Sequence, residues 1–322
     1  MTSTKKTPDI TLIVTNWNGK DLLRECLPTL IKSVEYDSSR SYEIMVIDDC
    51  SSDNSLEVLK QEFPTIRAEK TPQNLGFQGA NNYATKLSKS LLVMPINNDI
   101  KLHEKALYYL AESFENSDTF AVSGQIFDFD EKTFLYGNRG GYFDKGHFYL
   151  YEKLPEDETQ TLFACGGAFM VNRKRYLELG GFDSLYHPLY YEEIDLSYRA
   201  LKRGWSVIYE PNSIAYHKVQ ATITKQNKKK RIGWISARNN YLFVWKNILD
   251  SEMTTEFLLH IPLFLVRDAF RLKSRFWIAF YMALKRLPSA LNGRRIEKKA
   301  RLKSDNEILS QINKGRKLGK LV

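Results

Sequence analysis

Short apolar runs alternate with amphipathic stretches along the first hundred residues of the chain. Apolar runs with the length of a strand lie at residues 10–15, 42–47 and 91–96, and a further strand is predicted at residues 65–70. Between them, apolar residues recur at helical spacing, most clearly over residues 21–34. Strands that alternate with helices in this way predict a mostly parallel sheet with helices on both faces. The predicted fold class is therefore α/β.

Polar residues follow three of these strands at the point where each strand ends. They are Asn16 after the first strand, Asp48 and Asp49 after the second, and Asn97, Asn98 and Asp99 after the fourth. Because ligands of open α/β sheets bind beyond the carboxyl ends of the strands, we expect these side chains to converge on one edge. A carboxylate beside two amides can hold a polar ligand or a metal ion there. Ordinary turn chemistry is the alternative interpretation.

Two pairs of glycines are candidates for close backbone approach. Gly76 and Gly79 open a helix, where backbone N–H groups can meet a phosphate. The third glycine of the dinucleotide fingerprint is missing, so simple packing is the alternative. Gly166 and Gly167 interrupt a later apolar segment and would let the backbone approach a ligand or another strand.

Three carboxylates stand together at the start of a later helix. Glu192, Glu193 and Asp195 follow an aromatic stretch, which can keep a carboxylate poised for proton transfer as a general base. An acidic first turn that interacts with the helix dipole is the alternative. His217 follows the last predicted strand, and a lone histidine is more often structural than a ligand.

Positive charge is concentrated in the last third of the 322-residue chain. Residues 1–217 carry a net charge of −8, whereas residues 218–322 carry +17. An acidic body with a basic tail indicates that the tail meets an anionic surface. We expect a catalytic domain at residues 1–225 and a basic, helical region at residues 226–322.

The basic region has apolar residues on some helical faces and arginines on others. Arg267, Arg271 and Arg275 are spaced to share one face. No uncharged apolar run reaches the roughly 18–20 residues needed to span a membrane. Helices of this kind are typical of the membrane interface. Packing on the catalytic body or on a second subunit is the alternative.

Cysteine usage and the N-terminus bear on the compartment. Cys26, Cys50 and Cys165 have neither pairing nor metal-ligand spacing, which predicts a reducing environment. The N-terminal residues contain no apolar targeting region, so we expect no export. The predicted location is cytoplasmic, peripheral on the inner face of the cell membrane.

Eight segments, taken in order, resemble the inverting nucleotide-sugar glycosyltransferases of family 2. They are IVTNWNG (13–19), VIDDCSSDNS (46–55), NLGFQGANN (74–82), INND (96–99), CGGAFMVNR (165–173), GGFD (180–183), YYEEIDLSYR (190–199) and AYH (215–217). With Arg238, Asn239 and Asn240 they cover most of residues 9–245. The sequence is most similar to rhamnosyltransferase-like members that build bacterial cell-surface polysaccharides. The resemblance implies the GT-A (nucleotide-diphospho-sugar transferase) fold.

The resemblance also implies a set of site residues. Asp99 stands where the family has its Asp-x-Asp motif and would bind Mg²⁺ or Mn²⁺ with His217. Glu193, beside Glu192, would be the catalytic base, with Asp195 as the alternative. The residues assigned to the nucleotide-sugar donor are Thr15, Asn16, Asp48, Asp49, Gly76, Asn81, Asn97, Asn98 and Gly167.

The implied reaction is a single displacement. A sugar would move from a nucleotide-diphosphate donor, dTDP-rhamnose or a UDP-sugar, to a hydroxyl of a glycan or lipid-linked glycan. Because Asn97 replaces the usual first aspartate, a family member that binds sugar nucleotide without catalysis is the alternative. Nucleic-acid binding is not expected, since it makes no use of the acidic residues at the strand ends. A nicotinamide-dependent oxidoreductase would need a glycine-rich turn after the first strand.

Overall fold

A computed structural model gives the structure of residues 7–153, 159–218, 226–270 and 274–314, with side chains except at residues 226–230, 265, 268–270 and 274–275. Its first half is a run of strand–helix units. The elements are β1 Ile10–Asn16, α1 Lys20–Tyr36, β2 Tyr42–Asp48, α2 Ser55–Glu62, β3 Arg67–Lys70, α3 Gly76–Leu87 and β4 Leu92–Asn97. These four strands pair in parallel. The register sets Asn16 opposite Asp48 and Thr15 opposite Asn97, so the carboxyl ends meet at one edge.

The second half of the sheet is mixed. Its elements are β5 Ile100–Leu102, α4 Ala106–Glu112, β6 Thr119–Asp128, β7 Phe134–Tyr136, β8 Arg139–Asp144, β9 His147–Glu152, β10 Phe169–Asn172, α5 Arg173–Glu178, α6 Glu192–Lys202 and β11 Ser206–His217. Across the described part of the sheet the order is β3-β2-β1-β4-β10-β6-β11-β5, with β7 paired to β6. β10 enters between β4 and β6 antiparallel to both. The α/β class is confirmed, and strict strand–helix alternation is limited to the first half.

Side chains of the central strands alternate between two apolar cores. Leu12 and Val14 of β1 pack with residues of α1 and α4, whereas Ile13 packs with residues of α3, α5 and α6. Successive residues of a strand point to opposite faces, so a strand covered on both faces needs apolar residues throughout. β1 is accordingly mostly apolar, and the hydroxyl of its buried Thr11 is hydrogen-bonded to that of Ser90.

The described part of the aromatic segment at residues 128–158 forms β-structure. β7 pairs with β6, and β8 and β9 form a separate hairpin. Its turn contains Lys145 and Gly146, both with left-handed backbone conformation. The segment has no clear periodicity, so the sequence does not distinguish a β-excursion from a loop. The structure has the excursion. Residues 154–158 lie outside the described ranges.

The sequence predicts two terminal strands, at residues 206–209 and 214–216, but the structure has one long strand there. β11 pairs with β6 at both of its ends, with a shift of register between Tyr209 and Ile214. Pro211 lies in this shift and has no N–H to donate to the ladder. The predicted break is therefore a bulge.

The described residues from 226 onwards form helices that pack on the α/β body. They are α7 Gln226–Asn247, α8 Ser251–Phe270, α9 Ser274–Leu284, α10 Leu287–Ala300 and α11 Asp305–Ile312. α7 contacts α6 and β9, and α11 contacts α6 and β8. Arg203 of α6 pairs with Glu297 of α10 at 2.6 Å, and the Tyr198 hydroxyl donates to Asp305 at 2.8 Å. Buried polar contacts thus join these helices to α6.

None of the described helices combines the length and the apolar character needed to cross a membrane. α8 nevertheless carries Leu258, Leu259 and Leu263, each more than 60% exposed. Of the three arginines predicted to share a face, Arg267 is exposed. Arg271 and the side chain of Arg275 lie outside the described part of the chain.

Candidate active site at the carboxyl edge of the sheet

Amide and carboxylate side chains meet where β1, β2 and β4 end. The Asn16 amide nitrogen donates to Oδ1 of Asp48 at 3.2 Å, and its oxygen accepts from Nδ2 of Asn98 at 2.7 Å. Oδ2 of Asp48 accepts from the Ser51 backbone N–H at 3.0 Å. Asn16 and Asp48 are almost fully buried. These bonds join three of the predicted donor-binding residues in one connected group.

Asp49 has a different role from its neighbour. Its two oxygens accept from the backbone N–H groups of Leu75 and Gly76, each at 2.8 Å. The Thr71 hydroxyl donates to it as well, also at 2.8 Å. A carboxylate at a helix N-terminus satisfies N–H groups that the helix leaves unpaired. Asp49 thus anchors the start of α3, and the Gly76 N–H that could have met a phosphate is already bonded to its carboxylate.

Gly167 lets the backbone come close to the end of β4. Its φ is +80°, and a Cβ at this position would lie 2.5 Å from Nδ2 of Asn97. The Asn97 N–H donates to the Gly167 carbonyl at 2.8 Å. A larger residue would displace the Asn97 side chain, which is partly exposed near Thr15. Gly167 therefore shapes this edge through Asn97.

The two predicted metal ligands lie together. Nε2 of His217, at the end of β11, is 3.4 Å from Oδ1 of Asp99. Nδ1 of His217 is 2.7 Å from the hydroxyl of Tyr136 in β7. A hydrogen bond to the second ring nitrogen fixes the orientation of a metal-binding histidine. The sequence does not single out Tyr136, because only the pairing of β7 and β11 with β6 brings it to His217.

Asp99 and His217 form a donor pair that fits a divalent cation. Oδ1 of Asp99 is buried, and no described group donates a hydrogen bond to it. Carboxylate oxygens are the ligands that Mg²⁺ and Mn²⁺ prefer. Within the described ranges, these two residues are not part of a larger cluster of His, Cys, Asp or Glu. A cation here would therefore take further ligands from water and a bound phosphate, as Mg²⁺ commonly does.

Glu192 and Glu193 open α6 in a largely apolar environment. Burial raises the pKa of Glu192 to about 7, and its Oε2 has no hydrogen-bond partner in the described structure. Glu193 is partly exposed. Burial, followed by the charge of Glu192, raises the pKa of Glu193 well above its ordinary value. A carboxylate whose pKa is shifted towards neutrality can exchange a proton with substrate near pH 7.

Asp195, the alternative base, is enclosed in a network of ion pairs and hydrogen bonds. It is fully buried, 2.7 Å from Nε of Arg199 and 2.7 Å from Nζ of Lys246. Tyr186 and Asn247 donate to it at 2.9 and 2.8 Å. Burial opposes its ionisation, but Arg199 and Lys246 hold its pKa well below the usual range. This carboxylate is ionised, paired and inaccessible, so the structure contradicts its assignment as a base.

A turn with left-handed backbone conformation precedes the two glutamates. The φ angles of Tyr190 and Tyr191 are 68° and 76°. Such conformations cost non-glycine residues about 1–3 kcal/mol each and persist when the surroundings enforce them. The Asn239 side-chain amide of α7 donates to the carbonyls of Leu189 and Tyr190 at 2.9 and 2.8 Å. α7 thereby holds the turn from which α6 starts.

Buried amides without partners lie at the start of α3. Neither polar atom of the Gln78 side chain has a hydrogen-bond partner among the described residues, and the same holds for Oδ1 of Asn81. Gln78 lies beside Glu192. An unsatisfied buried polar group costs about 1–3 kcal/mol, which a ligand can recover by bonding to it. Asn81 was predicted and Gln78 was not, because spacing along the chain does not reveal its proximity to α6.

Tyr136 connects the glutamates to the metal pair. Burial raises the pKa of its phenol, and charges at Cys165, Glu193 and Asp99 raise it further. Glu193 and Asp99 therefore both lie within electrostatic reach of one side chain. The predicted base Glu193 and the predicted metal ligand Asp99 are thus both near Tyr136.

The sequence comparison agrees with this geometry. The family model described as Glycosyl transferase family 2 matches residues 11–180, more than half of the chain. The chain belongs to glycosyl transferase family 2. The family 2 match includes Asp48, Asp99 and Gly167 and ends before Glu193 and His217. The resemblance found in the sequence is confirmed.

Proteins similar in sequence include one named as a rhamnosyltransferase and one named as a polysaccharide synthase. An N-acetylglucosaminyl-diphospho-decaprenol L-rhamnosyltransferase of Mycobacterium tuberculosis is 21% identical over 225 residues, 61% of this chain and 73% of that protein. A poly-beta-1,6-N-acetyl-D-glucosamine synthase of Staphylococcus aureus is 24% identical over 266 residues, 79% of this chain and 60% of that protein. The chain thus spans less than two thirds of the synthase.

Solved structures confirm the GT-A fold. GalNAc-T7 with UDP, GalNAc and Mn²⁺ matches with a TM-score of 0.58 at 15% identity, over 79% of this chain and 50% of that one. The mannosyltransferase PcManGT from Pyrobaculum calidifontis, with GDP-Man and Mn²⁺, matches with a TM-score of 0.55 at 15% identity. That match covers 95% of this chain and 80% of that one.

Proposed function

We propose that this family 2 protein is an inverting glycosyltransferase that moves a sugar from a nucleoside-diphosphate donor to a hydroxyl of a glycan or lipid-linked glycan. One observation carries the proposal. His217 contacts both Asp99 and Tyr136, and Glu193 lies close enough to Tyr136 for its charge to raise the pKa of that phenol. A single displacement needs a base for the attacking hydroxyl and positive charge near the leaving diphosphate, and this arrangement can provide both.

The donor would occupy the carboxyl edge of the sheet. Thr15, Asn16 and Asp48 are assigned to the base and ribose, and the sugar lies towards α3, where Gln78 and Asn81 have unsatisfied amide atoms. A dTDP-rhamnose or a UDP-sugar is the proposed donor. One relative is named as a rhamnosyltransferase, and one structural neighbour was solved with UDP.

Asp99 and His217 are assigned to Mg²⁺ or Mn²⁺. Two structural neighbours were solved with Mn²⁺, and the unpartnered Oδ1 of Asp99 suits a cation. When bound, a divalent cation offsets negative charge on a diphosphate. Asn97 leaves one carboxylate in the motif, which suffices where donor phosphates supply further ligands. Tyr136 orients the histidine.

Glu193 is assigned as the general base. It takes the proton of the acceptor hydroxyl while that oxygen bonds to the anomeric carbon and the bond from that carbon to the diphosphate breaks. Glu192 raises the pKa of Glu193. Asp195, paired with Arg199 and Lys246, positions α6.

The test of the base is Glu193→Gln. Loss of general-base action should lower kcat for transfer by about 10²–10⁴-fold. Sugar nucleotides with Mn²⁺ or Mg²⁺ should still raise the Tm, because the variant keeps the donor site. The matched control is Glu178→Gln, because Glu178 is exposed at the end of α5. This variant should keep full activity. Full activity of Glu193→Gln would refute the assignment.

A screen of sugar nucleotides tests the donor site. The Tm of the wild type should rise with a sugar nucleotide, and more so with Mg²⁺ or Mn²⁺ present. Slow metal-dependent hydrolysis of that donor without acceptor should accompany binding. A rise in Tm without transfer or hydrolysis would support the catalytically inactive, sugar-nucleotide-binding alternative instead.

The C-terminal helices are assigned to an anionic membrane surface, where a lipid-linked acceptor would lie. Leu258, Leu259 and Leu263 are exposed on α8, and residues 218–322 carry a net charge of +17. Each Lys or Arg near an anionic leaflet contributes about 1 kcal/mol. The protein would then be peripheral to the membrane.

A further inference from the structure

A cavity lies between the β8–β9 hairpin and the helices α7, α8 and α9. Its volume is about 270 Å³. Aromatic rings make up much of its wall, namely those of His147, Phe148, Tyr149, Tyr241, Phe264 and Phe276. Hairpin and C-terminal helices both contribute, so the cavity exists only where the two regions meet.

One wall of the cavity belongs to the segment that carries the proposed base. Tyr191 lines the cavity and directly precedes Glu192 and Glu193. Nδ2 of Asn240 donates to the Tyr191 hydroxyl at 2.7 Å and to the Phe148 carbonyl at 2.6 Å. α7 therefore fixes the tyrosine against the hairpin. A ligand in the cavity would lie next to the start of α6.

The aromatic rings form a closely packed group. The His147 ring centroid is 4.9 Å from that of Phe264 and 5.4 Å from that of Tyr241. Such walls, with a few polar groups such as Ser236 and Asn240, are typical of small-molecule sites. The C–H face of a pyranose ring can pack on an aromatic face, while its hydroxyls need polar partners. The volume, slightly below the roughly 300–1,000 Å³ of drug-sized sites, suits one sugar unit.

One lining residue places a guanidinium group at the cavity. Arg267 lines the cavity, is exposed, and lies 4.7 Å from the centroid of the Phe264 ring. Among the described lining residues there is this one arginine and no Asp or Glu. A guanidinium group matches the geometry of a phosphate and can bind it with two hydrogen bonds.

The walls are held together by contacts at the hairpin turn. The Lys145 backbone N–H donates to Glu256 of α8 at 2.5 Å. Gly146 has φ +81°, and a Cβ there would lie 3.1 Å from Cα of Phe257. The turn therefore packs directly on α8. This contact keeps the hairpin and α8 at a fixed separation.

We propose that this cavity is the acceptor subsite and that it binds a sugar phosphate, with the sugar ring against the aromatic wall and the phosphate at Arg267. The proposal rests on the function proposed above and names the acceptor class, a sugar joined to phosphate. Tyr191, in the cavity wall, comes two residues before Glu193 and joins the wall to the start of α6.

Calorimetric titration of the full chain tests the proposal. The probes are glucose 1-phosphate, galactose 1-phosphate and the 1-phosphates of their N-acetylhexosamines, each compared with its methyl glycoside. The wild type should bind at least one 1-phosphate more tightly than the matching glycoside. Ser236→Trp places an indole in the cavity and should abolish binding of both. Ser289→Trp, exposed on α10 and outside the lining, should bind like the wild type.

Arg267→Ala tests the phosphate contact. Loss of a hydrogen bond to a charged group should weaken binding of the 1-phosphate about tenfold or more, with the methyl glycoside unaffected. Arg295→Ala, also exposed on a C-terminal helix, is the control and should change neither. Equal weakening of both probes by Arg267→Ala would overturn the phosphate assignment.

A parallel measurement separates this proposal from the proposed function. The rise in Tm with sugar nucleotide and Mn²⁺ should persist in Ser236→Trp, because the donor site is elsewhere. If donor binds but no 1-phosphate binds the wild type, or Ser236→Trp binds it normally, the subsite is refuted and the function stands. If the wild type gives no rise in Tm with any sugar nucleotide, the proposed function itself fails.

Discussion

At the scale of single residues, burial and the charge of Glu192 together raise the pKa of Glu193. Glu192 raises the pKa of Glu193, and a general base acts only when deprotonated. Glu192→Gln removes that charge and should lower the pKa of Glu193. The acid limb of the kcat/KM profile should therefore move to lower pH. A pH–rate profile measures this, and an unchanged limb, or one moved to higher pH, would contradict Glu193 as the base.

Tyr136 gives a second prediction at this scale. Tyr136→Phe removes the hydroxyl 2.7 Å from Nδ1 of His217 and leaves the imidazole unoriented. Loss of such a supporting hydrogen bond typically weakens metal affinity about 10–100-fold. Titration of donor-bound protein with Mn²⁺, followed by Tm, measures the effect.

The control for this substitution is another buried tyrosine. Tyr209 is 1% exposed, and its hydroxyl has no hydrogen-bond partner among the groups the structure describes. Tyr209→Phe should leave the Mn²⁺ titration unchanged. If the two variants titrate alike, Tyr136 does not orient a metal ligand.

Carboxylates that look alike in the sequence have different roles. Asp48 joins Asn16 at the strand edge, whereas Asp49 caps α3. Asp195 is paired with Lys246, some fifty residues away along the chain. The sequence shows an acidic residue but not its partner, and the partner decides whether the carboxylate is available.

At the scale of elements, α7 supports α6, the helix that begins with Glu192 and Glu193. Lys246 of α7 pairs with Asp195 of α6, and Lys246→Met would leave this buried carboxylate with Arg199 as its remaining cation. Breaking a buried pair typically costs 3–5 kcal/mol, and because Arg199 remains we expect about 3 kcal/mol. The free energy of unfolding in urea measures it.

Lys218→Met provides the matched control. Lys218 and Glu25 form a pair 2.8 Å apart with each side chain 38% exposed. Exposed pairs contribute about 0–1 kcal/mol, so this variant should unfold almost like the wild type. Equal destabilisation by the two substitutions would show that the buried network contributes no more to the free energy of unfolding than an exposed ion pair does.

Most elements of the first half follow directly from the sequence, because β1, β2 and β4 are largely apolar, whereas the short β3 reads RAEK. The β8–β9 hairpin does not, since its strands form a small sheet of their own and carry aromatic, glycine and charged residues together. β11 crosses Pro211 as one strand because pairing with β6 continues on both sides of the bulge. Long-range pairing overrides a local break there.

At the scale of the whole molecule, the exposed leucines of α8 and the basic tail predict binding to anionic vesicles. Replacing Leu258, Leu259 and Leu263 with Glu removes apolar surface and adds negative charge. Co-sedimentation with phosphatidylglycerol vesicles should be strong for the wild type, weak for this variant, and reduced by salt because salt screens the attraction.

Two other exposed leucines provide the control for this experiment. Leu91 and Leu302 are 75% and 79% exposed and lie outside α8 and α9. Leu91→Glu with Leu302→Glu changes apolar surface and charge in the same direction and should leave co-sedimentation largely intact. Equal loss in both variants would show that α8 is not the membrane-binding element.

The sequence by itself determined the α/β class, the family, and the strand ends at which Asn16, Asp48 and Asp99 stand. These features are local, because apolar runs and the polar residues that end them are contiguous in the chain. Only the tertiary structure decided that Asp49 and Asp195 are structural, that Tyr136 holds His217, and that α7 supports the turn before Glu193. Each of those depends on partners distant in sequence, which folding alone brings within hydrogen-bond distance.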